Sequence, residues 1–222
     1  GCRDDNWSIE IKNLRKVKEV INTIIENFEF SDKEEDLEIE DYVTYALNTT
    51  AGKILHAVIE YSLKKSRSEY DSTESGTERW DKDLQNKYEE FLNNKIIDAY
   101  ILQGQYFRQF MYLNSIWLLE WIQTNLDIED YLRNAFFGGY LFNPPIKWES
   151  DFFPKMLSHY EAFINTMVEI TGNTRIGLFN HLMIYYINDY IYLNSYNILV
   201  KFLRSINYNI INEFIRHISF NK

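Results

Sequence analysis

Residues 42–65, YVTYALNTTAGKILHAVIEYSLKK, decide between two kinds of fold. Their centre, NTTAGK, ends in the Gly-Lys pair of a phosphate-binding loop. Such a loop also needs Gly at its first position and Ser or Thr after the Lys, so that backbone N–H groups surround the phosphates and the hydroxyl reaches magnesium. Leu47 stands at the first of these positions and Ile54 at the last. The motif therefore lacks two required residue types, and no nucleotide site is assigned.

The residues on both sides of NTTAGK have the periodicity of helices. The segment before it reads as helix rather than strand, and apolar residues follow it at three- and four-residue steps, namely Ile54, Leu55, Val58, Ile59 and Leu63. We therefore predict that Asn48 or Thr49 is the N-cap of a helix. Gly52 is predicted to allow a close helix approach.

Helical periodicity continues along most of the chain. The 3 Pro and 8 Gly are too few for an all-β protein. Further helical segments are predicted at 8–28, 80–96, 97–122, 131–141, 149–170, 175–193 and 195–219. We predict a single all-α module over residues 1–222, an irregular helical bundle or helical-repeat-like array of about eight to ten helices. The chain is expected to be a fragment of a larger protein.

Polar segments and prolines interrupt this pattern. Residues 31–41, SDKEEDLEIED, are predicted to be a solvated loop that leads into a helix. Residues 66–79, SRSEYDSTESGTER, lack apolar periodicity and are predicted to form a mobile loop. Pro144 and Pro145 are predicted to stop the helix before them.

Charge and cysteine content limit the partners and the compartment. The net charge of −10 argues against nucleic acid as the main partner. Cys2 is the only cysteine, which excludes an internal disulfide and favours a reducing, cytoplasmic location. The apolar run 182–203 contains Asn188 and Asp189, so a membrane span is not predicted. The first two residues, Gly1-Cys2, are compatible with three origins: a native start, an end introduced by cloning, or the processed end of a lipoprotein.

Histidine spacing supplies only one candidate for metal or acid–base chemistry. His56 and Glu60 share a helix face, but zinc needs a third ligand, and His159, Glu161, His181 and His217 add no second metal spacing. HExxH and GxSxG motifs do not occur. We assign no catalytic, cofactor-binding or metal residue, and no cofactor.

A series of aromatic residues follows helical spacing. Its members are Tyr106, Phe107, Phe110, Tyr112, Trp117 and Trp121. Without interleaved basic residues, the series is predicted to pack in the core rather than to stack nucleic-acid bases. Any member left exposed would make a good anchor for a protein partner.

Five stretches of sequence occur in a characteristic order. YALNTTAGKILHAVIEYSL carries Asn48, Gly52 and Lys53, and ILQGQYFRQFMYLNSIWLLEWIQTNLD carries Gly104, Tyr106, Leu113 and Trp117. FFGGYLFNPPI with FPKMLSHYEAFI follows, and then LFNHLMIYYIND with His181 and Leu182. In this order they resemble the C-terminal helical region of bacterial antiphage STAND NTPases and of related sirtuin-domain defence proteins. The chain departs from their pattern at Ala51, where the family often has a basic residue, and at Phe136 or Phe137, where it often has Trp.

The resemblance implies a noncatalytic sensor module that binds a phage protein and controls an effector elsewhere in the parent protein. Two alternatives come from other classes. One is a self-contained enzyme with a dispersed site, for instance around His56 and Glu60. The other is a structural helical protein anchored by a lipid on Cys2, which requires a lipoprotein signal upstream of Gly1.

The interpretation of NTTAGK as a helix start predicts the outcome of one binding experiment. In calorimetry with Mg-ATP, the chain and its Lys53→Ala variant should both give only background heat, because neither has a complete phosphate loop. Saturable ATP binding that Lys53→Ala abolishes would contradict the helix-start interpretation.

Overall fold

The computed structural model describes residues 10–30, 39, 41–70, 78–126, 128–145, 153–166, 172–188, 198–205 and 208–220. Every regular element in these residues is a helix, which confirms the all-α prediction. A short 3-10 helix, Ile11–Asn13, precedes eleven α-helices. These are α1 Leu14–Asn27, α2 Tyr42–Asn48, α3 Thr50–Glu69, α4 Lys82–Asn93, α5 Ile97–Gln105, α6 Phe107–Asn125, α7 Asp130–Tyr140, α8 Phe153–Thr166, α9 Gly172–Ile187, α10 Ile198–Ser205 and α11 Tyr208–Phe220. The number exceeds the prediction because the predicted segment 97–122 is divided between α5 and α6, and the described part of 195–219 between α10 and α11.

The helix start predicted within NTTAGK is confirmed, with Thr49 as the N-cap. The Thr49 hydroxyl accepts a hydrogen bond from the Gly52 backbone N–H at 2.9 Å and also bonds to the buried carboxylate of Asp98 on α5. A Cβ on Gly52 would lie 1.8 Å from the carbonyl oxygen of Ala46. Gly52 thus allows α2 and α3 to meet in a tight turn, as predicted.

The predicted loop at 66–79 begins too early, and the residues at both of its ends are buried. Helix α3 runs on to Glu69, and both Ser66 and Arg79 are buried. Small hydroxyl side chains let this polar stretch stay helical: Ser66 lies one turn beyond buried Ser62 and bonds to the Tyr112 hydroxyl at 3.4 Å. Residues 71–77, and most of the predicted loop at 31–41, lie outside the described residues.

Helices α5 and α7 pack backbone against backbone through a reciprocal pair of glycines. A Cβ on Gly104 would lie 2.0 Å from the carbonyl oxygen of Phe136, and one on Gly139 would lie 1.9 Å from that of Ile101. Each carbonyl therefore occupies the space where a side chain on the other helix would stand. Helix α5 is buried from Asp98 to Gly104, which makes it the centre of the fold.

Helix α7 joins this centre to further helices. The ring of Tyr42 on α2 lies directly against Gly138. A Cβ at this position would be only 2.3 Å from the ring. The carbonyl of Leu141, just after α7, approaches Gly177 on α9 in the same way. Helix α8 also contacts α7. Helix α7 ends at Tyr140, ahead of Pro144 and Pro145 as predicted.

One carboxylate connects three other helices. Asp81 caps α4 by accepting from the Leu84 N–H at 3.4 Å, and it also accepts from Lys18 on α1 at 2.7 Å and Lys65 on α3 at 2.9 Å. Burial alone would raise the pKa of Asp81, but the two ammonium groups outweigh it and lower the pKa to about 2. Asp81 therefore stays charged and keeps α1, α3 and α4 together.

Substitution of Gly139 tests the backbone contact. Gly139→Ala should destabilise the protein by about 1 to 3 kcal/mol or more, because the new Cβ forces α5 and α7 apart. This loss exceeds the gain of about 1 kcal/mol that Ala brings to a helix interior. Urea unfolding followed by circular dichroism measures it, with Gln123→Ala at an exposed position of α6 as the control. A Gly139→Ala variant as stable as the original chain would contradict this packing.

Candidate partner-binding groove

Helix α6 is bent at Asn114, and the bend begins a second helical segment. Asn114 has φ −161° and ψ 89°, which are extended rather than helical angles. Its side-chain oxygen accepts a hydrogen bond from the backbone N–H of Trp117 at 3.1 Å. An extended residue that binds the N–H three positions later is an N-cap. Asn114 therefore sets the direction of the segment that carries Trp117 and Trp121.

Two buried amides connect this cap to a carboxylate on α4. The Asn114 side-chain N–H donates to the Gln85 side-chain oxygen at 3.3 Å, and the Gln85 amide N–H donates to the Glu89 carboxylate at 2.8 Å. Gln85 is 2% exposed and Asn114 is 3% exposed. Hydrogen bonds between buried groups are costly to break, because each lost partner leaves a desolvated polar atom. The chain of bonds therefore holds Trp117 and Glu89 in a defined relation.

A groove of about 420 Å³ lies where these two helices meet. Its lining includes Glu89 and Asn93 on α4 and Trp117, Glu120 and Trp121 on α6. Both charged residues in the lining are acidic. The groove therefore combines aromatic surface with negative charge.

The core supports each indole of the groove. The Trp117 ring packs edge-on against Trp80 with centroids 5.0 Å apart, and the Trp121 ring lies 5.7 Å from that of Tyr100. Trp80 itself is buried, and its indole N–H donates to Ser62 at 3.0 Å. The two groove indoles are therefore rigid platforms and not mobile surface side chains.

The aromatic series identified from the sequence is divided between core and surface. The core prediction is confirmed for its three members that are at most 8% exposed: Phe107, Phe110 and Trp121. The other three, Tyr106, Tyr112 and Trp117, are only half-buried. These three still pack against the core, and Trp117, which follows the bend at Asn114, lies at its rim.

His56 and Glu60 come together as their spacing predicts, but with a tyrosine as the nearer partner. His56 Nε2 lies 3.8 Å from the Glu60 carboxylate and 2.5 Å from the Tyr106 hydroxyl. In the part of the chain that the structure describes, no group of three or more His, Cys, Asp or Glu is placed to hold a metal. Glu161 pairs with Lys201 at 2.7 Å, and the His217 side chain lies outside the described residues.

Lys53 of the NTTAGK segment has a local role. It is exposed, and its ammonium donates to the backbone carbonyl of Asn48 at 3.1 Å. That carbonyl belongs to the last turn of α2, where cations are favourable. Lys53 therefore helps to end α2.

His181 is buried in a second polar cluster. Its Nε2 lies 2.6 Å from the carbonyl oxygen of Asn143, and its Nδ1 lies 2.8 Å from the Tyr160 hydroxyl. Because a carbonyl can only accept, Nε2 carries the hydrogen and Nδ1 accepts from Tyr160. The Asn143 amide donates to the Gln105 carbonyl at 2.8 Å, so the cluster joins α5, α8 and α9 to the turn after α7. The adjacent cavity of about 10 Å³ has room for little more than one water.

The environment of His181 makes it neutral. Burial lowers the pKa of His181, and the charge of nearby Arg108 lowers it further. The hydrogen bond to the Asn143 carbonyl raises the pKa, but the two lowering effects together outweigh it, and the resulting pKa is about 4. This cluster therefore connects the helices in the interior of the protein. The cavity beside it is too small for a ligand.

Glu89, Gln85 and Asn114 were not identified from the sequence. A polar residue within the apolar run 97–122 was a possible signal for the bend at Asn114, since Asn favours caps over helix interiors. Glu89 carries no local signal, because its role depends on the approach of α4 to α6.

Comparison with models of protein families, with curated proteins and with solved structures finds no match for this chain. Among the described helices, none is both long and apolar enough to cross a bilayer. What the groove binds therefore has to be inferred from its own side chains.

The buried His181 predicts a pH dependence of stability. The ordinary pKa of about 6.5 in the unfolded chain falls to about 4 on folding, so protonation favours the unfolded chain. The contribution of neutral His181 to the free energy of unfolding is fully present above pH 6.5. It falls by about 1.4 kcal/mol per pH unit as the pH drops toward 4. The original chain should lose about 2 kcal/mol more than His181→Gln between pH 7.5 and pH 5.0.

Urea unfolding at the two pH values measures this difference. His56→Gln removes a histidine whose side chain is 37% exposed and should keep the loss seen in the original chain. If the original chain and His181→Gln lose the same unfolding free energy between the two pH values, His181 is not held neutral.

Proposed function

We propose that this chain is a noncatalytic recognition module of a bacterial antiphage defence protein that acts in the cytoplasm. It binds a phage protein and thereby controls an effector elsewhere in the parent protein. The observation that carries the proposal is the rigid, indole-lined groove between α4 and α6. The similarity to the helical region of antiphage STAND NTPases and sirtuin-domain proteins supplies the biological setting.

The groove has the properties of a protein-binding hot spot. Tryptophan is enriched among the residues that contribute most to protein interfaces. Trp117 and Trp121 are held in place by packing on Trp80 and Tyr100, so binding costs them little side-chain entropy. An anchor side chain of a partner would therefore find a preformed site.

Four of the residues that carry the resemblance lie in the helical scaffold or in the groove. Gly52 and Gly104 lie at close contacts between helices, and buried Leu113 packs in the core. Trp117 lines the groove. Because Trp117 is one of the residues that carry the resemblance, the likeness extends from the helical scaffold to the groove.

A capture experiment with one bait and two lysates tests the proposal. The purified chain is used as bait in lysates of infected and uninfected bacteria, and an enriched phage protein is then purified and titrated into the chain by calorimetry. Direct binding of one phage protein is expected. Trp117→Ala should weaken this binding by roughly thirtyfold, as truncation of a hot-spot residue does.

Ile116→Ala is the matched control, since Ile116 is the neighbouring residue of α6, is 57% exposed and is not part of the groove lining. Its affinity should equal that of the original chain. Failure of every purified phage protein to bind would contradict the proposed function. Equal binding by Trp117→Ala and Ile116→Ala would show that the partner binds outside the groove.

A further inference from the structure

We infer that the groove between α4 and α6 receives an arginine side chain of the partner protein. The inference rests on the proposed function for the source of this side chain and adds its chemical identity. It is carried by the combination of two indoles and two carboxylates that the groove brings together.

Charge selects a cation as the occupant. Glu89 and Glu120 line the groove, and no Lys or Arg is among the described lining residues. A negatively charged side chain would meet both carboxylates at close range, whereas a positive one is attracted by both. The net charge of −10 adds long-range attraction for a basic segment.

The two indoles favour a flat cation. Trp117 and Trp121 are one helical turn apart, so their Cβ atoms are about 5 to 6 Å apart on one face of α6. A guanidinium is planar, stacks on aromatic faces and is less strongly hydrated than an ammonium. The methylene groups of the arginine side chain can cover the remaining apolar surface.

The carboxylate of Glu89 is positioned before any ligand arrives. Gln85 donates to Oε1, and Gln85 is itself held by Asn114 within the interior. The second oxygen, Oε2, can then accept from a guanidinium N–H. Charge-assisted hydrogen bonds to a fixed carboxylate are stronger than those between neutral groups.

The test uses a small analogue of the arginine side chain on the folded chain. N-butylguanidinium is titrated at constant ionic strength while the indole N–H signals of the five tryptophans are followed by NMR. Trp117→Phe and Trp121→Phe variants assign the two groove signals. Neutral N-butylurea, which has nearly the same shape, is the ligand control.

Saturable shifts of the Trp117 and Trp121 signals are expected with N-butylguanidinium and not with N-butylurea. The signal of Trp80, which is not part of the groove lining, should not move. The double variant Glu89→Gln with Glu120→Gln keeps the side-chain shapes, and it should raise the dissociation constant by about tenfold or more. Glu60→Gln with Glu90→Gln removes the same charge from exposed positions outside the groove lining and should change the constant by less than about twofold.

Three results would overturn the inference. Equal dissociation constants for the cation and the urea would make the groove an apolar site. An unchanged constant in the groove double variant would remove the role of the carboxylates. Equal weakening by both double variants would show a general charge effect.

The outcomes also separate this inference from the proposed function. A captured phage protein that binds the groove double variant as tightly as the original chain overturns the arginine site and leaves the recognition function intact. Specific guanidinium binding without any phage partner contradicts only the recognition function.

Discussion

The contact between α5 and α7 is the constraint on which the rest of the structure depends. Gly104 and Gly139 each leave room for a backbone carbonyl of the other helix, so the two helices approach more closely than side chains would allow. Helix α5 consequently lies at the centre, buried over most of its length. Helix α2 packs on both α5 and α7, α8 and α9 pack on α7, and α3, α4 and α6 contact α5. A Cβ at either glycine would force α5 and α7 apart.

Paired polar groups within this apolar fold determine how individual helices are oriented. Asp81 joins α1, α3 and α4, and His181 joins the turn after α7 to α8 and α9. Asn114 and Gln85 do the same for α4 and the second half of α6. Because an unpaired buried group is costly, each of these arrangements is far more specific than apolar packing alone. The groove is a consequence of the third arrangement, since the bend at Asn114 places two indoles opposite Glu89.

Local patterns predicted much of the fold. Apolar periodicity located the helices, Thr49 is the cap of α3, and the prolines follow the end of α7. The loop at 66–79 was predicted too long, because polar composition cannot distinguish an exposed serine from Ser66, whose hydroxyl is paired inside the protein. The core assignment of Trp117 was too simple for a related reason, since spacing assumes a straight helix and α6 is bent. Of the residues in the candidate site, the sequence pointed only to the aromatic ones, Trp117 and Trp121.

The sequence by itself determined that the chain is all-helical and that NTTAGK is not a complete phosphate loop, because periodicity, caps and motif positions are properties of neighbouring residues. Only the tertiary structure decided that Glu89 and Trp117 share a groove. These residues are separated along the chain by α5, and they meet because α5 is buried against α7 and because Asn114 redirects α6. Such a meeting depends on how closely helices pack and on which buried polar groups find partners, and neither quantity is encoded in a local pattern.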